Sequence, residues 1–246
     1  RKKILDSIRL EEMPASSRKY PFVGFTMGRE LGKDILSVEG VSKTVDGVKV
    51  LDNVTFSVGR GEKIALVGDN EAGQSALLAI LAGEMEPDEG SLHWGVSTSR
   101  SYFPKDNAPF FNDCELNLIE WLRQYSDDTT ETYLRGFLGR MLFSGDEVYK
   151  PVKVLSGGER VRCMLSRMML GSANVLLLDQ PTNHLDLESI TAVNNGLADF
   201  GGNVIFSSHD HQFIDTVADR IIELRPAAQD GGCIDRMGNY DEFLEF

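Results

Sequence analysis

The chain has 246 residues, of which 41% are hydrophobic, so it can bury an ordinary core, and we expect one α/β domain with a subdomain. Its net charge of -13 argues against nonspecific nucleic-acid binding by the whole surface. No apolar run approaches the roughly 18 residues that a membrane-spanning helix needs, and the spacing of Cys114, Cys163 and Cys233 is typical of reduced thiols in a cytoplasmic protein rather than of metal ligands.

The first 30 residues differ from the rest because they carry seven Lys and Arg side chains against four Asp and Glu, a net charge of +3. Residues 1–13 have the apolar spacing of a helix that stops at Pro14, and residues 15–33 have the composition of a connector. The basic segment favours either an RNA- or ribosome-facing surface or the solvated face of a linker. Since the chain starts at Arg1 without a Met, we expect it to be part of a longer protein.

A small antiparallel sheet is predicted next. Segments 35–39, 48–52 and 53–58 are short and rich in β-forming residues, and polar pairs at Asp46-Gly47 and Asp52-Asn53 are predicted to be the turns between them.

The body of the chain then alternates strands and helices, with a helical block inserted at about 114–171. Within that block, one predicted helix has Leu116, Ile119 and Leu122 on one face, and a second has an apolar face made of Leu134, Phe137, Leu138, Met141 and Leu142. The predicted strands are 64–67, 91–94, 101–103, 175–178, 204–206 and 221–224, and the other predicted helices are 76–82 before Gly83, one from Leu187, one from His211 and a short one at 240–246.

The apolar residues 175–178 run into Asp179 without alternation, as in a strand that is buried on both faces of a parallel sheet. A carboxylate at the carboxyl end of such a strand lies where open α/β sheets bind their ligands.

A loop of spacing GxxxxG, from Gly68 to Gly73, lies between a predicted strand and a predicted helix. Backbone N–H groups and the helix N-terminus in such a loop can hold phosphates, and a hydroxyl such as that of Ser75 can bind Mg²⁺. The lysine usual in this loop is replaced by Gln74, and a plain strand-to-helix turn would also accept the glycines.

A second motif, LSGGER at 155–160, places a hydroxyl and two glycines at the start of a predicted helix, which is an anion-binding arrangement. Capping of the helix by Ser156 is the simpler interpretation. It accounts for the hydroxyl and leaves Gly157 and Gly158 without an explanation.

Over residues 35–246 the chain resembles an ATP-binding cassette domain, and four motifs carry the resemblance: GDNEAGQS, LSGGER, LLLDQPTNHLD and SHD. The sequence PTNHLD within the third motif resembles the ABC-F group, which are soluble twin-cassette proteins that act on the ribosome. The resemblance implies a P-loop NTPase (RecA-like) α/β core with an N-terminal antiparallel β subdomain and an inserted α-helical subdomain. It implies that 34–246 is the cassette, that 1–33 ends the linker between two cassettes, and that the partners are a second cassette and the ribosome with its rRNA and tRNA.

The same resemblance assigns the site residues. It implies that ATP is held by the loop residues Gly68, Asp69, Asn70, Ala72, Gly73, Gln74, Ser75 and Ala76, and by Lys105. It implies that Mg²⁺ is held by Ser75 and Asp179, and that His209 reaches the γ-phosphate. Ser156, Gly157 and Gly158 would contact the γ-phosphate held by the partner cassette, with Asp186 at that interface.

Five departures from the family pattern affect this chemistry. Gln180 replaces the catalytic glutamate, and since an amide cannot accept a proton, a general base worth roughly 10²–10⁴-fold in rate is lost. Gln74 removes a positive charge from the phosphates, Glu71 adds a carboxylate, and Lys105 stands where the family has a glutamine. The aromatic side chain expected near Val45 for base stacking is also missing.

The sequence therefore predicts an ATP-binding cassette whose own site hydrolyses poorly, whether the two glutamines are natural or engineered. A nucleotide-binding subunit of a membrane transporter and an interaction module that uses the fold only as a scaffold remain as alternatives.

Overall fold

The computed structural model describes residues 19–227 and 231–245, so the helix predicted at 1–13 lies outside the described residues. The strands are β1 (Leu36–Val45), β2 (Val48–Val58), β3 (Lys63–Val67), β4 (Glu89–Trp94), β5 (Arg100–Phe103), β6 (Val175–Asp179), β7 (Asn203–Ser207), β8 (Arg220–Leu224) and β9 (Cys233–Met237). The α-helices are α1 (Glu71–Ala82), α2 (Leu118–Arg123), α3 (Glu131–Arg140), α4 (Gly157–Leu170), α5 (Leu187–Ala198), α6 (His211–Val217) and α7 (Tyr240–Leu244).

The predicted antiparallel sheet is present and has the strand order β2-β1-β4. The turn predicted at Asp52-Asn53 is wrong, because both residues lie inside β2. Asn53 has a φ of 52°, which asparagine tolerates better than most residues, and the register shifts between Val41 and Lys43 on the facing strand. A polar pair with a left-handed asparagine therefore marks an irregularity within a long strand here rather than its end.

The second sheet has six strands in the order β5-β6-β7-β3-β8-β9. The first five pair in parallel, and β9 pairs antiparallel with β8. The sequence analysis did not predict β9, because this edge strand mixes polar and apolar residues and none of them is fully buried. The parallel strands confirm the α/β fold class.

The parallel sheet separates two hydrophobic cores. On one face, α1 packs between this sheet and the antiparallel sheet, so its apolar residues contact both. On the other face lie α2 to α6. Successive residues of β3 illustrate the division, since Ile64 and Leu66 belong to the first core and Ala65 and Val67 to the second.

The inserted block contains α2, α3 and three short 3₁₀ turns before α4. Phe111 stacks on Trp121 with ring centroids 5.1 Å apart, and both are buried, so these aromatic residues form core rather than an exposed docking patch. Leu142 does not belong to the helix face predicted for it, because α3 ends at Arg140 and Leu142 has a φ of 65°. No helix in the described part of the chain is both long and apolar enough to cross a membrane.

The described part of the predicted connector lies against the domain. The N–H of Phe22 donates to the Arg140 carbonyl at 2.9 Å, and the N–H of Gly28 donates to the Ser172 carbonyl at 2.8 Å. Leu31 is buried in the core beside the antiparallel sheet. Residues 19–33 thus have extensive contacts with the rest of the domain despite their connector-like composition.

Arg220, on β8, ties the two sheets together. Its guanidinium donates to both carboxylate oxygens of Asp235 on β9, at 2.8 and 2.5 Å, and to Glu62 at 2.6 Å. It also donates to the Ser57 carbonyl of β2 at 2.8 Å. The bonds to Asp235 raise the pKa of Arg220, so the side chain stays charged although it is almost fully buried.

Arg220→Met should lower the free energy of unfolding by about 2–4 kcal/mol, because the two carboxylates lose a buried partner while keeping some exposure to solvent. Urea titration measures this loss. Arg60→Met, at an exposed arginine, is the control and should stay within about 0.5 kcal/mol of the parent. Equal losses in the two variants would contradict the assigned role of Arg220.

Candidate functional site

The candidate site lies at one edge of the parallel sheet. Because β5, β6, β7 and β3 are adjacent and parallel, the residues that follow them come together at their carboxyl ends. These residues are Lys105 after β5, Asp179 and Gln180 at the end of β6, His209 after β7, and the Gly68–Ser75 loop after β3. The strand order therefore brings five features that were predicted separately to the same edge of the sheet.

The loop between β3 and α1 is shaped by close internal packing. Gly68 has a φ of 104°, a backbone conformation that glycine adopts readily and that residues with a side chain rarely adopt. A Cβ at Gly73 would lie 2.6 Å from the Val50 carbonyl oxygen and 2.4 Å from Asn70 Nδ2, so only glycine fits. Asn70 caps α1 by accepting from the Gly73 N–H at 3.0 Å and holds the loop to β2 by donating to Val50 at 2.7 Å.

This cap leaves part of the helix N-terminus free. In the described part of the chain, no side chain accepts from the N–H groups of Glu71 or Ala72 in the first turn of α1. Such N–H groups together with the helix dipole suit a phosphate. Ala76 is a different case, because its side chain is buried in the core between the sheets and it lies beyond the first turn of α1.

Gln74 is turned into the loop. Its Nε2 donates to the Gly68 carbonyl oxygen at 2.8 Å, and the residue is only 3% exposed. The amide thus closes the loop on itself and brings no charge to a phosphate.

At the end of β6, Asp179 is fixed by a serine on the neighbouring strand. Ser207 Oγ donates to Asp179 Oδ1 at 2.8 Å, and the same Oγ accepts from the Gln180 N–H at 3.2 Å. Gln180 has a φ of 54° and is 4% exposed, and its Oε1 is buried without a hydrogen-bond partner. A buried acceptor without a donor is uncommon and is usually satisfied by an ordered water.

Glu71 bridges two residues that reach the site from different strands. Its Oε2 lies 3.1 Å from Lys105 Nζ, and its Oε1 lies 3.3 Å from His209 Nε2. The hydrogen bond and charge of Lys105, followed by the charge of His209, hold the pKa of the Glu71 carboxyl below its usual value. Glu71 is therefore ionised at neutral pH and remains about half exposed.

The remaining predicted residues form a second group around His184. Ser156 caps α4 in a capping box, in which Ser156 Oγ accepts from the Glu159 N–H and Glu159 accepts from the Ser156 N–H. A Cβ at Gly157 would lie 3.2 Å from the His184 Cβ, and one at Gly158 would lie 3.0 Å from the His184 carbonyl oxygen. Packing against His184 thus gives both glycines a structural reason that the sequence did not reveal.

Asp186 belongs to the same group and caps α5 by accepting from the Ser189 N–H at 2.8 Å. The Ser189 side chain, followed by this backbone bond, lowers the pKa of Asp186. Asp186 is exposed, as are Ser156 and Gly157, so the surface of this group is accessible.

The residues present fit a magnesium ion that is shared with a nucleotide. Mg²⁺ in such sites takes one or two carboxylates or hydroxyls from the protein and fills its other positions with phosphate oxygens and waters. Asp179 and the half-buried Ser75 are donors of this kind. No cluster of three or more His, Cys, Asp or Glu side chains that could hold a metal occurs in residues 19–227 and 231–245, so the phosphates would have to complete the shell.

Two features of the site were not predicted from the sequence: the role of Ser207 and the pairing of Glu71 with Lys105. Ser207 orients Asp179, and the signal available was a hydroxyl at the end of the strand that pairs with β6. The Glu71–Lys105 pair was missed because the two residues are 34 positions apart and meet only through the strand order.

The chain is similar to known proteins both in sequence and in structure. The ABC transporter family profile matches residues 51–183. The chain is 59% identical over its full length to YkpA of Bacillus subtilis, an uncharacterised ABC transporter ATP-binding protein, and 39% identical over 98% of its length to the probable ATP-binding protein YbiT of Escherichia coli O157:H7. It covers only 45% and 44% of those two proteins, so it spans less than half of their length.

Two more distant similarities add to this picture. ABC transporter F family member 2 of Arabidopsis thaliana is 31% identical over 87% of the chain, which covers 31% of that protein. The structure of cbiO1 from Clostridium perfringens, described as part of the ABC transporter complex cbiONQ, superposes with a TM-score of 0.63 at 21% identity, covering 87% of this chain and 92% of cbiO1. The latter match confirms the fold.

Gly73→Ala should destabilise the protein by about 1–3 kcal/mol, because the added methyl must displace the β2 backbone or the Asn70 cap. Urea unfolding measures the effect. Gly136→Ala is the matched control: Gly136 lies on exposed α3 with no atom within 4 Å of the new methyl, so helix propensity should raise stability by about 0.5–1 kcal/mol. Shifts of the same sign in both variants would contradict the packing described for the loop.

Proposed function

Because the chain belongs to the ABC transporter family of ATP-binding domains, we propose that it binds ATP with Mg²⁺ at the Gly68–Ser75 loop and works by closing against a second cassette. The observation that carries the proposal is the convergence of the loop, Asp179 and His209 at one sheet edge. The first-turn N–H groups of α1 would hold the phosphates, while Ser75 and Asp179 would hold the metal. When bound, Mg²⁺ neutralises charge on the phosphate oxygens and orients them.

The proposed site on this chain hydrolyses ATP poorly. Gln180 stands where a base would take a proton from the attacking water, and its unpartnered Oε1 can accept a hydrogen bond from that water but cannot remove a proton at neutral pH. Gln74 keeps its amide inside the loop, so the charge that a lysine would offer to the phosphates is missing. Binding without turnover would hold the closed state.

The group of residues around His184 supports the proposal that a partner cassette binds this chain. Ser156, Gly157 and Asp186 are exposed and gathered around His184, away from the core, as a surface that completes another cassette's site would be. We further propose that the whole protein is of the ABC-F type, that the closed state acts on the ribosome with its rRNA and tRNA, and that it resides in the cytoplasm. The similarity to an F family member and the PTNHLD wording support this assignment.

A transporter subunit is the second candidate. It is favoured by the description of YkpA as a transporter ATP-binding protein and by the membership of cbiO1 in a transporter complex. Fractionation of the full-length native protein separates the two. Sedimentation with ribosomes in the presence of ATP supports the first proposal, whereas recovery with membranes supports the second.

Restoring the missing charges should restore activity in two separable steps. Gln74→Lys should tighten MgATP binding by about tenfold or more, since a charge-assisted hydrogen bond contributes roughly 1.5–3 kcal/mol. Gln180→Glu should raise the hydrolysis rate by roughly 10²–10⁴-fold when a partner cassette is present. Equilibrium binding of labelled MgATP and phosphate release measure the two effects.

Gln124→Lys, an exposed glutamine on the inserted helical block, controls for the change in net charge and should leave MgATP affinity unchanged. Failure of the parent and of both restored variants to bind MgATP would overturn the proposal. The loop would then be a structural turn, and the chain an interaction module.

A further inference from the structure

Glu71 holds two basic side chains at the candidate site. Its two carboxylate oxygens contact Lys105 and His209 separately, at 3.1 and 3.3 Å. Lys105 follows β5 and His209 follows β7, with β6 between them, so one carboxylate contacts side chains from segments that follow two non-adjacent strands. It does so from the first turn of α1, where a negative charge also interacts favourably with the helix dipole.

We propose that Glu71 is a specificity-determining residue that makes this site discriminate against the γ-phosphate, so that a nucleoside diphosphate binds at least as well as the triphosphate. The inference rests on the proposed function, because it concerns the same nucleotide site. The carboxylate acts as an anion built into the protein. It holds the two groups nearest the free end of a phosphate chain and repels a further negative charge there.

The balance of contacts differs between the two nucleotides. A triphosphate must separate Lys105 and His209 from Glu71 before those groups can meet its last phosphate, and it must also tolerate the carboxylate nearby. A diphosphate ends before this region and leaves both pairs intact. All three side chains are about half exposed, so solvent screens each pair and the preference is moderate rather than absolute.

The loop adds to the same preference. Gln74 donates to Gly68 within the loop and offers no positive charge that would offset Glu71. In the described part of the chain, Lys105 and His209 are the basic groups that Glu71 contacts. Their capture by Glu71 leaves the terminal phosphate without a free positive partner from these residues.

The test compares dissociation constants for MgADP and for a non-hydrolysable MgATP analogue in the parent and in Glu71→Gln. The amide keeps the size of the side chain and removes its charge. The triphosphate should gain about 2- to 25-fold in affinity relative to the diphosphate, since each of the two exposed contacts of Glu71 contributes roughly 1.4- to 5-fold. Glu86→Gln, at an exposed glutamate beyond the end of α1, makes the same charge change and should leave the ratio unaltered.

A second comparison separates a direct effect of Glu71 from a general change in the loop. Lys105→Met should change triphosphate affinity by different factors in the parent and in the Glu71→Gln background, because the lysine is paired with Glu71 only in the parent. The non-additivity should be larger for the triphosphate than for the diphosphate, and additive effects on the triphosphate would overturn the inference.

The possible outcomes test the role of Glu71 separately from the proposed binding of ATP. Binding of both nucleotides with a ratio that Glu71→Gln does not change overturns the inference and leaves the proposed function intact. Equal changes for diphosphate and triphosphate overturn it as well, because they indicate a structural effect on the loop. Absence of binding for both nucleotides in every variant overturns the proposed function and the inference together.

Discussion

The hydrogen bond from Ser207 to Asp179 is the contact on which the candidate site depends. Asp179 is 2% exposed, and a buried carboxyl oxygen needs a hydrogen-bond donor. The donor comes from the paired position of the next strand, because Asp179 and Ser207 are register partners at the ends of β6 and β7. The same hydroxyl accepts from Gln180, so one serine fixes both residues against the sheet.

The parts of the site that lie along one strand or one helix could be predicted from the sequence. Buried strands such as β6 have an unbroken apolar pattern, and the N-terminus of α4 has a capping signature that the structure confirms at Ser156. Periodicity and local motifs are sufficient there, because the physics that determines them is local. The α/β class follows from the alternation of such elements.

Contacts between distant segments could not be predicted in the same way. The left-handed Asn53 looks like a turn in sequence and is an irregularity within β2, because pairing with β1 continues on both sides of it. The ion pair of Glu71 with Lys105 depends on β5 and β3 lying in one sheet, and the packing of Gly157 on His184 depends on α4 facing the segment after β6. Strand order and helix packing are properties of the whole fold, so a residue-by-residue interpretation does not reach them.

Burial also explains why the structure accepts glutamine at positions 74 and 180. Gln74 and Gln180 are 3% and 4% exposed, and a lysine or glutamate at such positions would lose its hydration unless a phosphate, a metal or a water replaced it. The amides remove this cost. The Gln74 side chain donates to the Gly68 carbonyl, whereas Gln180 Oε1 has no hydrogen-bond partner among the described residues. Glu71 does not lose its hydration in this way, because it is about half exposed and both solvent and its two partners stabilise its charge. A carboxylate is therefore tolerated at position 71, whereas positions 74 and 180 carry neutral amides.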